Sequence, residues 1–105
     1  MKSFVFEVPK EKQKDAEKML AENPYEDGSF AKSGYTFREA KGLGIQREGY
    51  YLFFECEEEK TAKGLEKKAK DAGLKEAGEK EKDEVVKAIR TQEEGAAEGI
   101  GSLFG

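Results

Sequence analysis

Hydrophobic and polar positions along the chain recur with two periods, one of two residues and one of about 3.6, and the switches between them mark the elements. Residues 3–8 (Ser-Phe-Val-Phe-Glu-Val) are β-branched and aromatic and predict a strand stopped by Pro9. Phe4, Phe6 and Val8 share one face of it, Val5 and Glu7 the other. Pro9 suits the first turn of a helix, and residues 10–22 carry Ala16, Met19 and Leu20 on one side. Asn23 and Pro24 end that helix, because the residue before proline avoids the α region. Residues 24–34 predict a loop with turn chemistry at Asp27 and Gly28. Alternation returns at residues 35–40, where Tyr35 and Phe37 interleave with Thr36 and Arg38. Lys41, Gly42, Leu43 and Gly44 predict a flexible link, with residues 45–47 extending a strand. Residues 49–57 are the strongest strand, and the unbroken apolar run 50–54 predicts a central position buried on both faces.

The helical period returns at residues 58–72, where Ala62, Leu65, Ala69 and Ala72 repeat at helical spacing. Glu57, Glu58 and Glu59 fall at the positive end of that helix, where acidic side chains are favoured. Glu59 with Lys63, and Glu66 with Lys70, have the favourable i,i+4 order, and Gly73 suits a left-handed cap. Residues 74–77 predict a short fourth strand and 81–91 a third helix with Val85, Val86, Ala88 and Ile89 as its apolar side. From residue 95 to 105 glycine is too frequent for a stable helix, so residues 93–105 are expected to be a flexible tail behind a single domain at 1–92. Ile100, Leu103 and Phe104 make an apolar cluster in that tail, open to a role as a short interaction motif.

The order strand, helix, strand, strand, helix, strand resembles the ferredoxin-like βαββαβ sandwich over residues 3–77. The resemblance implies an α+β fold: an antiparallel sheet with two helices on one face, here followed by an extra C-terminal helix. Phe4, Phe6, Val8, Met19, Leu20, Leu52, Phe54 and Leu65 would then be buried under the two helices. The opposite face would carry Val5, Glu7, Thr36, Arg38, Tyr51, Phe53, Glu55 and Lys75. Val5, Tyr51 and Phe53 together are too apolar for a wet surface. Three explanations are open: cover by the third helix through Val85, Val86 and Ile89, sheet-to-sheet pairing of two copies, or a platform on which bases stack. Val5, Arg38, Tyr51, Phe53 and Lys75 are therefore the candidate interface residues.

Composition narrows the chemistry. The 105 residues are 40% charged with a net charge of -4, and they contain no histidine, which removes the imidazole base, the imidazole metal ligand and the histidine pH switch. A single cysteine, Cys56, excludes an intrachain disulfide and any paired-cysteine zinc or redox site. Its neighbours Glu55, Glu57, Glu58 and Glu59 disfavour a thiolate, so Cys56 reads as structural. The basic residues are nearly all lysine and the acidic ones nearly all glutamate, with Asn23 the only asparagine, a composition associated with thermophiles. The first residues form neither a signal peptide nor a membrane span, which points to a soluble, cytoplasmic protein.

Few motifs survive. Arg47-Glu-Gly-Tyr-Tyr-Leu-Phe-Phe is similar to the aromatic octamer of RNA-recognition motifs, but Glu48 follows the basic residue, Tyr51 stands where Gly or Ala is usual and Leu52 replaces an aromatic. Glu7 and Glu55 would repel phosphate on that face, and a net charge of -4 lacks the basic footprint of nucleic-acid binding. Lys60, Lys63, Lys67 and Lys70 make a helix stripe that Glu66 and Asp71 flank, as a solvated face does. Acylphosphatase shares the architecture but needs an arginine after the first strand, where Val8, Pro9, Lys10 and Glu11 supply none. The expected function is a small, non-catalytic binding or interaction module without metal or cofactor, acting on a protein partner or a second copy through the open sheet face. The alternative is a single-stranded RNA-binding module using Tyr51, Phe53 and Arg38.

Overall fold

The computed structural model describes residues 2–22, 25–26 and 28–104, the side chains of 93–104 excepted. Its strands are β1 (Lys2–Val8), β2 (Thr36–Glu39), β3 (Tyr50–Cys56) and β4 (Lys75–Glu76); its helices are α1 (Gln13–Ala21), α2 (Phe30–Ser33), α3 (Glu59–Asp71) and α4 (Glu79–Phe104). The strands form one sheet in the order β2-β3-β1-β4, every neighbouring pair antiparallel. The protein is thus a small α+β domain with a four-stranded antiparallel sheet.

Register follows the hydrophobic pattern. Phe4 faces Phe54 and Phe6 faces Leu52 across the β1–β3 ladder, while Val5 faces Phe53 and Glu7 faces Tyr51. A slip of one residue would turn both sets to the wrong face, so the pattern specifies the pairing. Phe6, Val8, Leu52 and Phe54 join Ala16 and Leu20 of α1 and Leu65 and Ala69 of α3 in one core, with Phe4 and Met19 packed on it. Phe54 anchors this layer, stacking on Phe4 at 5.0 Å and meeting Phe30 edge-on at 5.2 Å. Residues 51–54 of β3 are buried on both faces, as the apolar run predicts.

Gly49 sets how closely the ends of β1 and β3 approach. Its φ is +102°, and a Cβ there would lie 2.6 Å from the Val8 carbonyl oxygen. Gly73 closes α3 as expected: at φ +85° it lets its own N–H reach the Lys70 carbonyl (3.0 Å) and that of Leu74 reach Ala69 (3.1 Å). Both expected i,i+4 pairs are present, Glu59 with Lys63 at 3.6 Å and Glu66 with Lys70 at 2.8 Å.

Four segments differ from the sequence expectation. Residues 10–12 form a 3-10 turn before α1, because Pro9 takes ψ 150° and stands outside the helix rather than in its first turn. The stretch read as a plain loop contains α2, which Ser29 caps by accepting the Lys32 backbone N–H (3.2 Å) and which buries Phe30. Residues 41–43 form a 3-10 turn with Leu43 buried, and residues 45–47 are not a strand. The backbone of α4 continues to Phe104, past the end expected near Thr91. The side chains of the tail cluster Ile100, Leu103 and Phe104, the Asn23 and Pro24 stop and the Asp27 half of the turn lie outside what is described.

Candidate functional site: the covered sheet face and its flank

The second sheet face is roofed. Val85 and Ile89 of α4 pack on Val5, Tyr51 and Phe53, joined by Ala77 and by Ala40 and Leu43 from the turn after β2. Tyr51 keeps 2% of its surface exposed and Phe53 7%, so neither offers a ring face to a base or to a second sheet in this arrangement. Of the three explanations for the apolar face, cover by the last helix is the observed one. Arg38 and Lys75 stay exposed on opposite sides of it, on β2 and β4, so the five candidate interface residues do not form one accessible surface. Arg38 donates to the Phe37 carbonyl at 3.4 Å.

A polar cluster closes one rim of the roof. Glu81, in the first turn of α4, accepts from the Tyr51 hydroxyl at 2.7 Å and from Arg47 at 2.6 Å, and Arg47 also pairs with Glu7 of β1. Burial, then the hydrogen bond with Glu81 and its negative charge, raise Glu7 above the ordinary carboxyl value of 4.5; Arg47 and Lys75 pull the other way. Burial acts on Glu81 too, but the bonds from Tyr51 and Glu7 and the charge of Arg47 outweigh it and hold Glu81 below 4.5. The proton that the pair retains longest therefore sits on Glu7. Burial first, and the bond to Glu81 second, push the Tyr51 hydroxyl up to about 12.

Two carboxyl groups, a phenol and a guanidinium in one cluster are groups with which acid–base chemistry is done. Here they pair with one another, and among the described residues no buried side-chain nitrogen or oxygen lacks a partner. The adjoining cleft of about 280 Å³ holds Arg47 and Lys75 against Glu7 and Glu48, so it has no net pull on an anion. The cluster fastens the start of α4 to the sheet. Sequence reasoning missed Glu81, although it stands four residues before Val85 and eight before Ile89 and so lies on their helix face. Arg47 comes from a non-periodic loop and carries no such signal.

On the opposite rim the sheet is not closed. β1 pairs with β3 along its full length, but with β4 only at Phe6 and Glu7. Past that point a cleft of about 600 Å³ opens between β1 and α4, lined by Lys2, Ser3, Phe4, Lys82, Asp83, Val86 and Lys87. Lys2 reaches Glu59 at 3.2 Å, while neither Lys82 nor Lys87 has an ion-pair partner among the described residues. A third cleft, beside the start of α3, mixes Lys32, Lys60 and Lys68 with Glu55, Glu57 and Glu58. Cys56 lines it half-buried, its thiol 3.5 Å from the Glu58 carbonyl. Among the described residues no three acidic, cysteine or histidine side chains converge as metal ligands, and no helix is long and apolar enough to cross a membrane. Neither protein-family models, nor curated proteins, nor solved structures give a match to the chain.

Proposed function

We propose that the chain is a non-catalytic interaction module of ferredoxin-like architecture that docks a protein partner along the flank between β1 and α4. The architecture is supported by the strand order β2-β3-β1-β4 and by α1 and α3 sharing one sheet face. The added helices α2 and α4 and the two-residue β4 are its departures from that pattern. The observation that carries docking is the pair Lys82 and Lys87, without an ion-pair partner among the described residues, beside an open strand end in a chain whose net charge is -4. The mutual pairing of Glu7, Arg47, Tyr51 and Glu81 supports the non-catalytic side of the reading, since both carboxyl groups and the phenol are already engaged by protein partners. A cytoplasmic setting and a thermophilic origin belong to the same proposal, resting on the lone cysteine and the Lys/Glu composition.

Binding of single-stranded RNA on Tyr51 and Phe53 would require α4 to leave the sheet, and no observation favours that opening. The readings separate in one titration of the isotope-labelled chain, followed by backbone amide shifts. Peptides of alternating Glu and Val should move the amides of residues 2–4 and 82–87. An oligonucleotide mixture should leave the amides of Tyr51 and Phe53 in place. Shifts at Tyr51 and Phe53 with the oligonucleotides, or a silent flank with every peptide, would overturn the docking reading.

A further inference from the structure

We infer that the docked segment is an extended acidic strand that lengthens the sheet at Ser3, an inference that rests on the docking reading above. In an antiparallel sheet, alternate residues send both backbone groups to the same neighbour. The Ala77 N–H donates to the Val5 carbonyl at 2.9 Å, so Val5 faces β4. Ser3, two residues back, presents its N–H and C=O to that same side, where the chain has already turned away into α4. A sheet edge of this kind is a template for strand addition.

The surroundings specify the side chains that would suit it. Ser3 lies on the Val5 side of the sheet, the side that α4 covers, so a residue paired with Ser3 points toward Lys82 and Lys87. A carboxylate there meets two cations that have no ion-pair partner among the described residues, with Asp83 the one acidic side chain lining the same cleft. Flanking residues point to the other face, one beside Lys2 and one beside the half-buried Phe4. The exposed pair of Lys2 with Glu59 is weak enough to be exchanged for an incoming carboxylate. The segment is therefore short and extended, acidic opposite Ser3 and Lys2, and apolar opposite Phe4. Three lysines against Asp83 alone in the cleft lining disfavour a basic segment.

The test uses the full chain and a labelled acetyl-Val-Glu-Glu-Val-Glu amide, with binding read by fluorescence anisotropy at low ionic strength. The peptide should bind, slow hydrogen exchange at the Ser3 amide and weaken as salt rises. Replacing Lys82→Glu together with Lys87→Glu should reduce affinity about tenfold or more, with amide shifts of the core unchanged. The same peptide N-methylated at alternate amides keeps its charge and loses its strand hydrogen bonds. Because that change is in the probe, folding of the protein is not at issue. Loss of binding on methylation supports strand addition. Equal binding of the methylated peptide would overturn strand addition while leaving the docking reading intact. Equal binding by the doubly charge-reversed protein would overturn the assignment of Lys82 and Lys87. A flank that no peptide perturbs would remove the docking reading as well.

Discussion

Tyr51→Phe removes one oxygen from the polar rim and leaves the ring in place. The hydroxyl donates to the Glu81 carboxylate at 2.7 Å, and a hydrogen bond to a charged group contributes roughly 1.5–3 kcal/mol. Glu81 keeps Arg47 at 2.6 Å and is partly open to water, which places the expected loss at the lower end, about 1.5 kcal/mol at neutral pH. The pH dependence supplies an independent measure of the same group. Its pKa rises from 10.0 to about 12 on folding, burial being the larger cause and the bond to Glu81 the next. The folded state therefore holds the proton longer than the unfolded one. The tyrosine's contribution is complete below pH 10 and is lost as pH climbs toward 12. At about 1.4 kcal/mol per unit, roughly 2–3 kcal/mol disappears across that window in the native protein and none in the variant. The remaining ionisable groups are common to both proteins and cancel in the difference. Urea unfolding of the two proteins from neutral to strongly alkaline pH should show the native protein ahead at neutrality, with the gap closing or reversing near pH 12. A gap that is absent at neutral pH, or one that stays constant through the alkaline range, would refute the placement of Tyr51 against Glu81.

Other perturbations test the remaining contacts. Glu7 has a raised pKa, so stability in the native protein should fall as pH rises from 4.5 toward that raised value; Glu7→Gln should flatten this fall in a series of thermal unfolding midpoints, and parallel profiles would contradict it. Glu81 acts in the opposite sense, and both proteins should lose stability as pH drops below 4.5. Ile89→Ala empties part of the roof over Phe53 and should cost about 2–5 kcal/mol in denaturant unfolding while increasing binding of a hydrophobic dye; an unchanged dye signal and midpoint would argue against α4 as the cover. Gly49→Ala places a methyl group 2.6 Å from the Val8 carbonyl at φ +102° and should destabilise by more than about 1 kcal/mol, whereas Gly42→Ala, with open space around it, should change the unfolding midpoint little.

The division of the strands into two faces was legible because a strand's side chains alternate with a period of two. Phe4, Phe6 and Val8 could only lie opposite Val5 and Glu7, and the run 50–54 could only be central. The Gly73 cap and the Glu66 with Lys70 pair were readable for the same reason: they depend on neighbours within one turn. The buried Phe30 was not readable, since a four-residue helix has too few positions to show a period. Leu43 was hidden between two glycines that suggest a mobile link, and only the core beneath it shows that it is held.

The candidate site divides along the same line. Its apolar members, Val5, Tyr51 and Phe53, were identifiable from the sequence, but whether they meet water, a second copy or a helix depends on where α4 lies. Their burial removes them as an accessible interface and makes them part of the core. Glu81, Arg47 and Glu7 are ordinary members of a Lys/Glu-rich chain until three elements far apart in sequence bring them within hydrogen-bond reach. Lys82 and Lys87 likewise become notable only beside the open end of β1. Local periodicity determines which face of each element is apolar, because that depends on backbone geometry alone. Which apolar face meets which, and which charges are left without partners, depends on long-range packing, and only the tertiary structure decides it.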